Sequence, residues 1–223
     1  TVWCWGKSPE CAGTLDSAPT PVQALGVDDA VLLSAGLYHA CVIHQGGTAS
    51  CWGYNVDGRL GSGDTDAHYQ PTAVVGLSDL VDLAAGGHTC GLRSDGSVWC
   101  WGGNHVGQLG DQTLEDSLEP VQVIGVSDAI RVVAGDSHTC ALLASGEVWC
   151  WGEGFWGALG NPETANVSYS LVPVIVDGLT DVTTLDAGGN SNCASRADGT
   201  MWCWGSGPMG GLLHSDFSPV PVH

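Results

Sequence analysis

Short apolar segments closed by glycine recur along the chain: Val31 to Gly36, Val81 to Gly86, Ile130 to Gly135 and Val182 to Gly188. Each is followed by a cysteine, a glycine turn and a second apolar segment such as Val98-Trp99-Cys100-Trp101-Gly102. Side chains of a strand alternate with period two, so Trp99 and Trp101 share one face and Val98 and Cys100 the other. Both faces are apolar. A sheet with one wet face would alternate apolar with polar, so each small sheet is expected to be covered on both sides. A glycine-rich loop then leads to a strand headed by proline, at Pro21, Pro71, Pro120, Pro173 and Pro219. The pattern predicts four short antiparallel strands per unit.

Cys-Trp-Gly marks each unit, at Cys4, Cys51, Cys100, Cys150 and Cys203, with intervals of 47, 49, 50 and 53 residues. Such a period signals a repeat architecture. Four-stranded sheets covered on both faces stack radially in a β-propeller. The expected fold is therefore all-β: one repeat domain of about 50-residue blades, four of them complete, preceded by an N-terminal half-blade. The units run over residues 1–26, 27–76, 77–126, 127–177 and 178–223.

In the four complete units a second cysteine lies 10 residues upstream, pairing Cys41 with Cys51, Cys90 with Cys100, Cys140 with Cys150 and Cys193 with Cys203. Between them Gly47, Gly96, Gly146 and Gly199 each hold the third place of a three-residue loop, where a type I turn and bulge require a left-handed residue. That loop sets the cysteines opposite each other as a non-hydrogen-bonded pair, with Cα atoms roughly 4.5 Å apart. A disulfide bridges such a gap.

The order Ala-Gly-x-x-His-x-Cys, Asp-Gly, Val-Trp-Cys-Trp-Gly, Gly-Gln-Leu-Gly, Pro-Val, clearest over Ala84 to Val123 and Ala134 to Val176, resembles the regulator of chromosome condensation repeat. The resemblance covers essentially the whole chain. It implies a β-propeller, usually of seven blades, that mainly holds other proteins: a small-GTPase exchange factor in the nucleus and, in secreted bacterial relatives, an inhibitor of β-lactamase. Two features depart from the chromatin-bound member. Five Lys and Arg against 24 Asp and Glu give a formal charge of -19, which repels nucleic acid and acidic lipid. One bridged cysteine pair per unit belongs to an oxidising compartment, which disfavours an intracellular exchange factor. The expectation is a secreted or cell-surface protein.

Composition adds that 34 Gly and 10 Pro leave little room for long helices. No apolar run approaches the roughly 20 residues that span a bilayer, so membrane insertion is not expected. The chain starts at Thr1 and its methionines are Met201 and Met209, so an initiator Met or secretory signal was either removed or never part of this sequence.

The first unit lacks the two strands that should precede Cys4, and Cys11 stands where the other units have Gly58, Gly107, Gly157 and Gly210. A replacement bridge from Cys4 to Cys11 is the simplest reading; the alternative pairs both with cysteines of a longer precursor or a partner chain. Val2, Trp3 and Trp5 would then present an open blade edge, able to take a strand from another protein or to join copies head to tail into a filament or surface layer. The loops after each triplet differ most between units and carry Tyr54, Tyr69, Phe155, Trp156, Tyr169 and Phe217, ring types that anchor interfaces. These residues and the open edge are the candidate interface. The partners expected are another protein or the protein itself.

No catalytic signature is present: there is no G-x-S-x-G, H-E-x-x-H or P-loop. The chain is expected not to be an enzyme, an extracellular hydrolase being the remote alternative. His39, His88 and His138 precede cysteines by two residues, but once per unit and with Ser191 in the fourth, a structural pattern in which the ring bonds to backbone. No metal or cofactor is expected. Gly152, Gly154 and Gly157 form a G-x-G-x-x-G without the helix a dinucleotide site needs. Asp57 and the Asp64 to Asp66 stretch offer oxygens to calcium but lack the fixed ligand spacing. Asn166-Val167-Ser168 is a possible glycosylation acceptor.

Overall fold

The computed structural model describes residues 1–6, 18–164, 167–206 and 218–222. Eighteen strands are present among them, arranged as one two-stranded and four four-stranded antiparallel sheets. The first sheet pairs β1 (Trp3–Gly6) with β2 (Ala18–Gln23). The second holds β3 (Ala30–Ala35), β4 (His39–His44), β5 (Ala49–Gly53) and β6 (His68–Ala73), and the third β7 (Leu80–Ala85), β8 (Thr89–Arg93), β9 (Val98–Gly102) and β10 (Ser117–Gln122). β11 (Ala129–Ala134), β12 (His138–Leu143), β13 (Val148–Glu153) and β14 (Tyr169–Ile175) form the fourth. The fifth is β15 (Val182–Gly188), β16 (Ser191–Arg196), β17 (Met201–Gly205) and β18 (Ser218–Val222). In all four complete sheets the strands lie in chain order, so each unit folds on local connections.

The hairpin between the second and third strands follows the turn chemistry. His44 N donates to Thr48 O at 2.8 Å and Gly47 N to His44 O at 2.8 Å, with Gly47 at φ 75°. Gly96, Gly146 and Gly199 repeat the conformation at 80°, 84° and 85°. Counting outward from that pair, Cys41 falls opposite Cys51, and the same register recurs at Cys90 and Cys100, Cys140 and Cys150, and Cys193 and Cys203. All four pairs are disulfides, with Cα atoms 4.0–4.1 Å apart. The proposed Cys4–Cys11 bridge involves Cys11, which lies outside the described residues.

The sheets stack face to face, and three of the four disulfides share a buried cluster with a tryptophan of the following sheet. Cys41 and Cys51 share a buried cluster with Leu83 and Trp101. Cys90 and Cys100 do so with Val132 and Trp151, and Cys140 and Cys150 with Leu185 and Trp204. Trp52 in turn shares a buried cluster with Val2, Ala24 and Val27, which flank the strands of the first sheet. This answers the two-faced apolar pattern: one face of the triplet strand lays its disulfide on the next sheet, the other lays an indole on the previous one. Backbone bonds stitch the stack as well, Leu80 N donating to Gly47 O at 2.9 Å and Val182 N to Gly146 O at 3.1 Å.

A disulfide closing so short a hairpin removes unfolded-chain entropy equivalent to about 3 kcal/mol. Replacing Cys140 and Cys150 together by alanine is therefore expected to lower unfolding stability by about that amount, read from urea denaturation. An unchanged midpoint would show that the bridge contributes nothing.

Candidate functional site

The topology sorts the connections onto two edges of the stack. One edge carries the turns between first and second strands together with the long loops between third and fourth strands. Tyr54 N donates to Tyr38 O, Glu153 N to Ser137 O and Ser206 N to Asn190 O, each at 2.9 Å, which ties those loops to those turns. The other edge carries the short cysteine hairpins and the linkers between units.

The expected aromatic residues fall mainly on the loop edge. Tyr54 is 41% exposed, Phe155 54%, Trp156 52% and Tyr169 39%. Tyr38, from the first-to-second strand turn, is 56% exposed and meets Tyr54 edge to face with centroids 6.0 Å apart. Nothing singled it out beforehand, yet a signal existed: Leu37-Tyr38 occupies a turn that is Gly87 in the next unit and Asp136-Ser137 in the one after. Tyr69 is half-buried at the start of β6. Val2 is not surface at all. It is buried under Trp52, because the side of the half-blade strand that faces the second sheet is a core face. Trp3 and Trp5 point the other way and are 51% and 64% exposed. Phe217 and Asn166 lie outside the described residues.

Two loops are braced by a buried asparagine, four residues after the triplet cysteine. Asn55 Oδ1 accepts from Leu60 N at 2.9 Å while its amide donates to Asp64 O at 2.9 Å; Asn104 does the same with Leu109 N at 3.0 Å and Thr113 O at 3.1 Å. In the third complete unit this residue is Gly154, whose N–H donates to Ser168 O at 2.9 Å. A side chain there would meet Val167 O at 2.7 Å, so this glycine of the G-x-G-x-x-G match serves close packing. The turn that follows lifts Phe155 and Trp156 outward, with Trp156 at φ 65°. A bulky residue in that left-handed region stores local strain.

Asp57 and Asp64, the acidic groups considered for calcium, are engaged with neighbours. Arg59 donates to Asp57 at 2.8 Å, and Asp64 accepts from Asn55, Ser62 and the Asp66 N–H. The bond from His68 to Asp64 holds that carboxyl below the usual range.

The repeated histidines bind side chains of the next unit rather than backbone, which corrects the expectation. His39 Nε2 meets Thr89 Oγ1 at 2.7 Å, and that hydroxyl donates to Arg59 O at 2.7 Å. A hydroxyl has one proton to give, so the imidazole donates and carries its proton on Nε2. His88 repeats this through Thr139 to Gln108 O, at 2.6 and 2.8 Å. His138 donates to Asn192 Oδ1 at 2.8 Å, and the Asn192 amide donates to Ala158 O at 2.9 Å. Each relay clamps a unit to its neighbour and to the base of its own loop. The three Nδ1 atoms are buried without a partner. Burial lowers the pKa of His39 and His88 to about 3 and that of His138 in the same direction. These rings stay neutral and have no access to a substrate.

Comparison with known proteins follows the same lines. The family model described as "Regulator of chromosome condensation (RCC1) repeat" matches residues 47–92, 95–142 and 145–195. A second model of the same description matches residues 30–59, 81–108 and 182–210. No curated protein sequence matches. Among solved structures, Prp20p from Saccharomyces cerevisiae superposes with a TM-score of 0.84 at 20% identity, over 99% of this chain and 58% of that one. Its reported subject includes binding to Gsp1p and histones. Human WBSCR16 superposes with a TM-score of 0.81 at 22% identity, over 94% of this chain and 56% of the other. Yeast RCC1 (Prp20) bound to Kap60 gives a TM-score of 0.81 at 19% identity, over 99% and 56%. The chain spans a little over half the length of these structures, and the likeness is one of fold.

Proposed function

Since the chain belongs to the regulator of chromosome condensation repeat family, we propose that it is a non-enzymatic protein-binding module, using the loop edge of its propeller sheets as the recognition surface. The observation that carries this reading is the set of exposed rings on that one edge, Tyr38 against Tyr54 and the outward turn of Phe155 and Trp156. Aromatic side chains bring large contact area at little cost in rotamer entropy, which is why they dominate binding energy at interfaces. Braced loops favour this use, because a partner meets a surface already ordered.

The four disulfides support a place outside the reducing cytosol, secreted or at the cell surface. The fold neighbours bear on the same reading, one being a complex with another protein.

A photo-reactive benzoylphenylalanine placed at Tyr54 or Phe155 should give discrete protein adducts in extracts of the source organism. The same group at Gln45, exposed on the hairpin edge, should give none. Phe155→Ala is expected to weaken capture at Tyr54 or of the purified partner at least tenfold. Equal labelling of the two edges would overturn the assignment.

A further inference from the structure

On the hairpin edge of the second sheet three side chains stand in line. Asp29 Oδ1 lies 2.6 Å from His44 Nδ1, and His44 Nε2 lies 2.9 Å from Ser50 Oγ. The bond from His44 holds the Asp29 carboxyl below the usual range, so at neutral pH this group is ionised and can only accept. Nδ1 therefore carries the ring proton. In the neutral ring Nε2 is then a lone pair, and the Ser50 hydroxyl donates to it. Carboxylate, imidazole and hydroxyl follow one another in the order that turns a serine into a nucleophile.

The other sheets do not repeat this line. The place of His44, fixed by its bond across the hairpin turn, is taken by Arg93, Leu143 and Arg196, and the place of Ser50, next to the triplet cysteine, by Trp99, Trp149 and Trp202. Arg93 pairs with Asp79 and Arg196 with Asp181, so a bond from His44 to Asp29 preserves a contact of the repeat. The bond to Ser50 preserves nothing. Trp99 and Trp202 turn their N–H groups to Ser97 and Thr200, two residues back, at 3.1 and 3.0 Å. Trp99 and Trp149 are half-buried although each follows a four-stranded sheet, so solvent reaches this place within a complete stack. In the second sheet an indole gives way there to a half-buried hydroxymethyl group.

We infer that Ser50 is a nucleophile toward acyl groups, with His44 as its general base and Asp29 fixing the ring. Oγ attacks the carbonyl carbon of an ester while its proton passes to His44 Nε2. The bond from that carbon to the leaving oxygen then breaks, and the oxygen takes the proton from His44. The acyl group ends as an ester on Ser50 and an alcohol departs. Ser50 lies within a sheet, paired with Val42 on one side and Ala73 on the other, and not on the sharp strand-to-helix turn that supplies oxyanion donors in triad hydrolases. The donors it suits are therefore activated esters with good leaving groups, and not amides. Acylation of this serine is a covalent modification on the edge opposite the recognition loops, independent of what those loops bind.

The test exposes the folded protein to p-nitrophenyl acetate and, separately, to an alkyl fluorophosphonate, and follows released p-nitrophenolate, intact mass and peptide maps. One label per chain is expected, on Ser50. Ser50→Ala should abolish it, and His44→Gln should slow it about 100-fold. Asp29→Asn should slow it at least about tenfold. Asp29 is 53% exposed and its exchange keeps the side-chain shape, so this variant folds and reports on the line even where His44→Gln does not fold. Native protein unlabelled at Ser50, a rate unchanged in both His44→Gln and Asp29→Asn, or an equal rate in urea-unfolded protein overturns the inference. None of these outcomes touches the labelling contrast between Tyr54, Phe155 and Gln45, which decides the binding reading separately.

Discussion

Lowering the pH from about 7.5 to about 5.5 weakens the folded state by about 3 kcal/mol, above the range in which carboxylates of ordinary pKa titrate. The cause is the histidine relay. His39 and His88 have pKa values near 3 in the folded protein, against an ordinary 6.5, because burial opposes their charged forms. In the unfolded chain they take up protons first, so stability falls as the pH drops below about 6.5 and goes on falling until about 3. Each ring contributes about 1.4 kcal/mol per pH unit within that window, and His138 acts in the same direction. Protonation also has a structural meaning here. A second N–H would appear on Nδ1, which is buried with no acceptor.

Asp82 works against this trend. It is buried, its pKa is raised by burial, and it accepts from Val132 N at 3.1 Å, so its own contribution favours the folded state as the pH falls. The measurement is a pair of urea titrations at the two pH values, repeated on His88→Gln. That variant should be less stable at the higher pH and show a shallower pH dependence. Identical midpoints for the wild-type protein at both pH values would remove the relay as a source of acid sensitivity.

Trp151→Ala should cost about 3–5 kcal/mol. The ring is fully buried over the Cys90–Cys100 disulfide and its Nε1 donates to Gln108 O at 3.0 Å. Truncation therefore opens a cavity between two sheets and removes a bond to the loop base. Gly110 packs directly on the same indole, where a side chain would meet Nε1 at 2.7 Å, so the loop rests on the ring that the substitution removes. Phe155→Ala, at an exposed ring, should stay within about 0.5 kcal/mol of wild type. A loss at Trp151 below about 1 kcal/mol would mean that the sheets do not depend on the indole for their contact.

Much of the architecture is local and was therefore legible in the sequence. A three-residue turn with glycine at its left-handed position sets the hairpin register within a few residues, and the cysteine pairs follow from counting outward. Apolar residues on both parities of Val98–Gly102 required cover on both faces, and stacked sheets supply it. The loop aromatics were visible because they interrupt a repeat whose other positions hardly change.

What the chain alone left open concerns contacts between units, some 50 residues apart, where periodicity says that a residue recurs and nothing says which neighbour it meets. The histidines were legible as structural, yet their partners Thr89, Thr139 and Asn192 belong to the following unit and became evident only once the sheets were stacked. Val2 and Trp3 are adjacent and equally apolar, but the stack buries one and exposes the other. Leu33 and Leu83 hold the same place in the first strands of their sheets, yet one is 50% and the other 4% exposed. Turn geometry is written in a handful of consecutive dihedral angles, whereas burial depends on what the rest of the molecule places against a side chain.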